Sequence, residues 1–256
     1  PFQAISLFHV ASRINGLIKR FLGYPVIALQ PEVTRIYEEG RWEELPGRIV
    51  IFTKVTFIGA VYFSAVAAIA GREVILLVSG RAFLDAYGVF LVLLPGVPMA
   101  AFIAPLLSAM KGLHFMKWAV FCDFVWMAVY FGTFFLLVGL WGVLGMAAAQ
   151  LLASALQTAA AVALARRGGF YGGTGTRTGR VLAVFAVFAA AGTAAAIQWG
   201  LAAAAILVVA SPFLLRAVLV GFRVFDGNEA GLIAAMTGTR GLRKTVCWMI
   251  GHGGAA

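Results

Sequence analysis

The length of the uncharged stretches constrains this chain more than any other feature of its sequence. Four windows hold one charged residue or none: 49–71, 86–110, 118–139 and 141–165. A helix needs about 20 apolar residues to cross the roughly 30 Å hydrocarbon core of a bilayer, because each residue adds about 1.5 Å. Each window is long enough, so all four are predicted to be membrane-spanning helices.

Composition indicates the same class of protein. Of the 256 residues, 62% are hydrophobic and 12% are charged, whereas soluble domains average about 25% charged residues. The net charge of +10 is spread between the apolar windows, unlike the basic face that a nucleic-acid-binding protein presents to its ligand. The sequence therefore predicts an all-α integral membrane protein and excludes a soluble fold and a nucleic-acid partner.

Residues 181–215 are uncharged throughout, and this stretch is too long for a single span. A Gln-Trp-Gly sequence at 198–200 lies at its middle, where glycine loosens a helix and tryptophan suits the membrane interface. Basic residues flank the stretch on both sides. Two short spans, 181–198 and 201–220, place both basic flanks on one side of the membrane, so a hairpin is predicted.

The basic residues also predict the orientation of the bundle. Alternate connections, with the tail counted from Arg216, carry thirteen Lys and Arg residues on one side and two on the other. Short loops rich in Lys and Arg stay in the cytoplasm. The cytoplasmic side is therefore predicted to hold 39–48, 111–117, 166–180 and the tail 223–256, with 1–222 forming the transmembrane bundle.

The first segment, 1–38, differs from the other predicted spans because basic residues and two prolines, Pro25 and Pro31, interrupt it. If it crosses the membrane, it brings the number of spans to about seven and runs from outside to inside. Six of its residues share one helical face at spacings of three or four: Ser6, His9, Arg13, Gly16, Arg20 and Gly23.

Two interpretations of this face remain open. Charged side chains are costly in the bilayer unless they face a bundle interior or water, so Arg13 and Arg20 indicate an aqueous path for an anionic substrate. The alternative is an amphipathic helix that lies among lipid headgroups. The two arginines are two turns apart, about 10 Å along the helix, so at least one lies away from an interface.

Other polar residues within the apolar windows give weaker signals. Asp123 is either a proton or sodium site for coupled transport or a partner of Lys117, and Lys54 lies near enough to the end of its span to extend to the interface. A polar stripe at helical spacing is predicted to pack against another helix; it comprises Gln150, Ser154 and Gln157.

The sequence offers no candidates for catalysis, metal binding or a cofactor. Cys122 and Cys247 are too far apart in sequence to form a metal-ligand motif or a disulfide framework. The glycine-rich loop 166–180 has neither phosphate-loop nor dinucleotide-binding spacing. The apolar windows contain no nucleophile with a histidine and an acid. The chain is therefore predicted not to be an enzyme.

Four short motifs resemble those of polysaccharide and oligosaccharide flippases. Residues 22–40 (LGYPVIALQPEVTRIYEEG) resemble the end of the seventh helix, with the pattern P-x-x-S/T-R-x-Y. Residues 76–87 (LLVSGRAFLDAY) resemble an outer segment, 139–150 (GLWGVLGMAAAQ) resemble the entry to a later helix, and 225–232 (FDGNEAGL) resemble an ending of the family. The superfamily joins multidrug, oligosaccharidyl-lipid and polysaccharide exporters.

The resemblance implies the second bundle of a two-bundle exporter fold, with the first bundle missing upstream. In such proteins the seventh helix faces a central cavity, and its basic residues meet the diphosphate of an undecaprenyl-linked sugar. The matching positions are Arg13 and Arg20, flanked by Lys19. The resemblance further implies alternating access, a multi-pass location in the bacterial inner membrane, a role in lipopolysaccharide or exopolysaccharide biosynthesis, and contacts with a lipid-linked anionic oligosaccharide and membrane lipids.

Two alternatives follow from other residues. A cation-coupled small-molecule or multidrug exporter of the same superfamily needs an acidic coupling residue, and Asp123 is the candidate. A membrane-embedded glycosyltransferase or acyltransferase needs acidic or histidine residues clustered at one membrane face. The acidic cluster available is Glu38, Glu39, Glu43 and Glu44.

Overall fold

The computed structural model describes residues 2–27, 29–172, 176–222, 224–225 and 229. Their regular elements are helices, without a strand. Most of the predicted tail 223–256, including Cys247, lies outside the described residues. The helices, in chain order, are α1 (Phe2–Ile27), α2 (Leu29–Glu38), α3 (Leu45–Ser79), α4 (Ala86–Leu93), α5 (Gly96–Gly112), α6 (Met116–Trp141), α7 (Val143–Arg167) and α8 (Thr176–Gly221).

Five helical segments of the described chain are long and apolar enough to cross a membrane. They are Trp42–Ser79, Ala86–Gly112, Met116–Trp141, Val143–Arg167 and Ala204–Gly221. The predicted all-helical membrane class is confirmed, and these segments indicate a multi-pass membrane protein. The helix α1 is not among the five, because basic residues interrupt its apolar sequence, and seven spans remain a prediction.

The first predicted span, 1–38, is two helices in the structure. The helix α1 continues past Pro25 and ends at Ile27, and α2 begins at Leu29. Pro31 lies in the first turn of α2, where the missing N–H of proline removes no helical hydrogen bond. Only one of the two prolines therefore marks a helix boundary.

The predicted span 86–110 is broken into α4 and α5 at the sequence Leu94-Pro95. Pro95 and Pro98 have no N–H to donate to the carbonyls one turn earlier. The N–H of Val97 bonds to the carbonyl of Leu94 at 2.9 Å, which leaves the carbonyl of Leu93 without its helical donor. From α1, the side chain of Asn15 donates to the carbonyl of Leu93 at 3.4 Å, and Asn15 is 2% exposed. A buried amide from a neighbouring helix thus supports the break.

The helix α8 folds back on itself against α3. The ring of Tyr62 lies 6.1 Å from the ring of Phe185, and its hydroxyl lies 2.9 Å from the Ser211 hydroxyl. In a straight helix Phe185 and Ser211 are separated by roughly 39 Å, at about 1.5 Å per residue. The chain therefore reverses direction between them. Thr176–Gly221 is nevertheless one continuous run of helical residues, so the predicted turn at 198–200 remains a prediction.

The helices α6 and α7 form a close hairpin at the edge of the bundle. Gly142 joins them with φ +56, a left-handed conformation that favours glycine. The face of α6 that points away from α7 carries exposed aromatic side chains: Phe121, Phe124, Phe131 and Phe135. Exposed aromatic residues therefore form the outer surface of the described bundle at this edge.

Gly145 is expected to tolerate no larger residue. A Cβ atom there meets the backbone carbonyl of Leu137 in α6, and backbone atoms have little room to move. Gly145→Ala is expected to lower the free energy of unfolding by about 2 kcal/mol or more, measured by thermal unfolding in detergent. Gly139→Ala, where a Cβ meets nothing within 4 Å, is the control; equal loss in both variants contradicts the close hairpin.

Aromatic contacts bring three of the predicted cytoplasmic loops to one end of the bundle. The ring of Tyr37 lies 4.3 Å from Trp42 and 5.8 Å from His114. The ring of Phe115 lies 6.0 Å from Phe170. The connections 39–44, 113–115 and 168–171 therefore meet at the same end, the end at which α7 finishes with Arg166 and Arg167.

Candidate functional site

The helix α1 has two chemically different faces. Residues of one face pack into the bundle and are buried: Ala11, Asn15, Leu22 and Val26. On the opposite face, His9, Arg13 and Arg20 are exposed. Residues at these spacings share a face at about 100° per residue, so the basic face predicted from the sequence lies on the surface of the described bundle.

The two arginines have no partner within the described part of the chain. Neither Arg13 nor Arg20 forms an ion pair or a hydrogen bond with another described residue. Both guanidinium groups therefore remain available for an anion. Each presents planar N–H donors that match a phosphate or carboxylate in pairs.

Lys19 does not share this face. It is half-buried and lines two cavities inside the bundle, one of about 200 Å³ and one of about 160 Å³. At 100° per residue its side chain leaves α1 about 80° from that of His9, toward the packed side. The structure therefore separates Lys19 from Arg13 and Arg20, with which the resemblance grouped it.

The larger cavity, which we call the Lys19 chamber, lies between α1, α5, α6 and α7. Its polar wall comes mainly from α7, including the stripe that the sequence analysis assigned to helix packing. Thr158 extends that stripe and was missed, although its i+4 spacing from Ser154 was visible in the sequence. The lining residues are Lys19, Met99, Ala100, Ile103, Trp126, Gln150, Ser154, Gln157 and Thr158.

Hydrogen bonds fix the polar groups of α7. The Ser154 hydroxyl donates to the Gln150 carbonyl at 2.9 Å, and the Thr158 hydroxyl donates to the Ser154 carbonyl at 2.7 Å. The amide of Gln157 donates to the Asp123 carboxylate at 3.0 Å. The carboxylate of α6 is thus tied to a residue that lines the Lys19 chamber.

Asp123 therefore has a different partner from the one predicted. Its side chain is exposed on α6 and accepts a hydrogen bond from Gln157, and the ion pairs of the described residues do not include one with Lys117. The predicted spacing of six residues explains this, because residues six apart do not share a helical face. The role of Asp123 as a coupling residue remains a prediction.

Lys54 is paired rather than extended to the interface. Its ammonium lies 2.6 Å from the carboxylate of Glu229, and the two side chains are 12% and 18% exposed. Val224 and Phe225, between α8 and Glu229, are buried against α3 and α8. The described beginning of the tail, which is predicted to be cytoplasmic, therefore packs against the helices.

Two members of the acidic cluster, Glu39 and Glu44, form ion pairs. The guanidinium of Arg41 lies 2.5 Å from the carboxylate of Glu39 and 3.0 Å from that of Glu44. These two carboxylates raise the pKa of Arg41 above its ordinary value, and the hydrogen bond to Glu39 has the larger effect. Glu32 pairs with Arg48 at 2.9 Å. Among the described residues, three or more His, Cys, Asp or Glu side chains do not gather as metal ligands.

Comparisons with protein-family models, curated proteins and solved structures found no match to this chain. The resemblance to polysaccharide flippases therefore rests on the four short sequence motifs alone.

Proposed function

We propose that this chain forms the second bundle of a flippase that moves an undecaprenyl diphosphate-linked oligosaccharide across the bacterial inner membrane for cell-surface polysaccharide synthesis. The single observation that supports this most is the placement of Arg13 and Arg20. Both are exposed on α1, opposite the face that packs into the bundle.

The depth of this basic face in the membrane gives the observation its weight. Asn15 bonds to Leu93, which lies inside the candidate span Ala86–Gly112, and Lys19 lines cavities with residues from the middle of that segment. Arg13 and Arg20 therefore lie at membrane depth. A charged residue facing lipid there costs about 2.5–3.5 kcal/mol by insertion scales, so the face borders a water-filled cavity.

The chemistry of the face selects an anionic substrate. Two guanidinium groups about 10 Å apart along α1 flank Gly16, beside which a Cβ atom meets nothing within 4 Å. A diphosphate approaches the backbone closely there and receives paired N–H donors from either side. A second bundle closes the cavity, and rocking of the two bundles exposes the site to each side in turn.

An apolar groove supports a lipid-bearing substrate. A cavity of about 510 Å³ lies between α3, the α4–α5 break and residues 182–193 of α8. Its wall is rich in small residues, including Ala65, Ala68, Ala186 and Ala189. A groove of this kind leaves room for a hydrocarbon chain, and its lining residues come from helices other than α1.

A cation-coupled small-molecule exporter is the second candidate, favoured by the Asp123 carboxylate held by Gln157. One assay separates the two. Proteoliposomes containing the full-length protein are loaded with a fluorescent undecaprenyl diphosphate sugar, and its transfer between leaflets is measured by quenching. We expect transfer of the lipid-linked sugar; efflux of a small fluorescent dye driven by a proton or sodium gradient, without lipid transfer, overturns the flippase proposal.

The predicted orientation has its own test. Arg167 and Arg81 lie at opposite ends of the bundle, and both are exposed. In a background without native cysteines, Arg81→Cys is expected to react with a membrane-impermeant maleimide on intact cells, and Arg167→Cys is expected to react only after the cells are broken. The reverse pattern contradicts the assignment of the basic end to the cytoplasm.

A further inference from the structure

The Lys19 chamber is separate from the basic face of α1. It lies inside a single bundle, between four helices, and its lining includes neither Arg13 nor Arg20. Lys19 has no hydrogen bond or ion pair with another described residue. A half-buried ammonium group at membrane depth needs polar partners. A ligand in the adjacent chamber is placed to supply them.

The polar wall of the chamber offers both donors and acceptors. The hydroxyl hydrogens of Ser154 and Thr158 are donated to backbone carbonyls, so their oxygen atoms retain lone pairs for a ligand. Gln150 and Gln157 add amide groups, which donate and accept. Lys19 adds donors alone. Hydrogen-bond donors and acceptors therefore lie side by side on this wall.

This mixture selects the chemical class of the ligand. Lys19 attracts an anion, but a fully ionised inorganic anion has no hydrogen to donate to the oxygens of Ser154 and Thr158, and a metal cation is repelled by the ammonium of Lys19. A hydroxyl group both donates and accepts, so several hydroxyl groups on one ligand satisfy this wall. The chemistry of the chamber therefore favours an uncharged polyol.

The apolar lining and the size of the chamber narrow the choice further. Trp126 from α6 and Ala100 and Ile103 from α5 line the chamber, and they provide surface for the C–H faces of a sugar ring. The volume of about 200 Å³ equals that of roughly seven waters, at about 30 Å³ each. One monosaccharide fits this volume, whereas a chain of several sugars does not.

We propose that the Lys19 chamber binds an uncharged polyhydroxylated ligand of monosaccharide size. The ligand comes from one of two sources that share this chemistry: a free sugar, or one sugar unit of a lipid-linked oligosaccharide. The second source rests on the proposed flippase function, and the first does not.

The test is equilibrium dialysis of the full-length protein in lipid nanodiscs. The probes are radiolabelled glucose, N-acetylglucosamine and inositol, with inorganic phosphate and chloride measured in parallel. We expect at least one of the three polyols to bind at one site per chain, and phosphate and chloride to leave its binding unchanged. Competition by undecaprenyl diphosphate N-acetylglucosamine identifies the lipid-linked source; polyol binding without such competition identifies the free sugar.

Substitutions locate the bound polyol. Gln150→Leu and Thr158→Val are each expected to weaken binding about twofold to tenfold, the value of a neutral hydrogen bond. Lys19→Met is expected to weaken it roughly tenfold or more, because its hydrogen bond is charged. Gln198→Leu, an exposed glutamine of α8 outside the chamber, is the matched control. If Lys19→Met does not fold, the Gln150 and Thr158 variants decide the outcome.

Three results overturn the proposal: binding of none of the polyols, saturable binding of phosphate or chloride that depends on Lys19, or polyol binding that all three chamber variants leave unchanged. The failure of the flippase proposal is recognised separately. If a polyol binds and lipid is not transferred, the flippase proposal fails and the chamber proposal stands. If lipid is transferred and no polyol binds, the chamber proposal fails and the flippase proposal stands.

Discussion

Replacing Arg13 and Arg20 together with glutamine is expected to reduce transfer of a lipid-linked sugar at least a hundredfold. Each arginine supplies charge-assisted hydrogen bonds worth about 1.5–3 kcal/mol, and a factor of ten corresponds to about 1.4 kcal/mol. Loss of both therefore removes most of the binding energy for a diphosphate. The measurement is the initial rate of leaflet exchange of a fluorescent undecaprenyl diphosphate sugar in proteoliposomes.

The matched control is Arg35→Gln with Arg81→Gln. Both residues are exposed arginines, and both lie away from the basic face of α1. The control variant is expected to keep at least half of the wild-type rate. An equal loss in both double variants shows a general effect of lost positive charge, and an unchanged rate in the Arg13 and Arg20 variant removes the assigned site.

Removing the Lys54 side chain is expected to lower the stability of the protein. Its ion pair with Glu229 is short, at 2.6 Å, and the two side chains are 12% and 18% exposed. Removing one partner of a buried pair costs about 3–5 kcal/mol, and the remaining exposure lowers this to about 2 kcal/mol. Lys54→Met is therefore expected to lower the unfolding midpoint clearly in a detergent melt.

A second variant distinguishes the pair from ordinary packing. Lys54→Met combined with Glu229→Leu removes both charges, and it is expected to recover most of the lost stability, because two apolar residues replace a buried ion pair at little cost. Arg35→Met is the control, since the pair between Arg35 and Glu39 is 3.9 Å long and exposed; such pairs contribute about 0–1 kcal/mol. Equal effects of Lys54→Met and Arg35→Met contradict the buried pair.

The sequence predicted the positions of the apolar helices because length and lack of charge decide what crosses a bilayer. The windows 118–139 and 141–165 correspond closely to α6 and α7. The break between α4 and α5 was present in the sequence as Pro95 and Pro98, but a charge-free window does not register it. The split between α1 and α2 was likewise present in the sequence as a proline. Of Pro25 and Pro31, Pro31 alone lies at the boundary, in the first turn of α2.

The contacts that define the candidate site required tertiary structure. A helical wheel correctly places His9, Arg13 and Arg20 on one face, because that depends on local geometry alone. It gives no sign that the polar stripe of α7 lines a cavity instead of packing, because that depends on how closely α1 and α5 approach it. The pairing of Lys54 with Glu229 joins residues 175 positions apart, beyond the reach of any spacing rule.

The most direct test of the central claim is retention of lipids by the purified full-length protein in native mass spectrometry. Undecaprenyl diphosphate is compared with undecaprenol, which has the same chain without the charge. We predict that the wild-type protein retains the diphosphate lipid selectively and that Arg13→Gln with Arg20→Gln abolishes this selectivity. Equal retention of the two lipids by the wild-type protein contradicts an anionic headgroup site on α1.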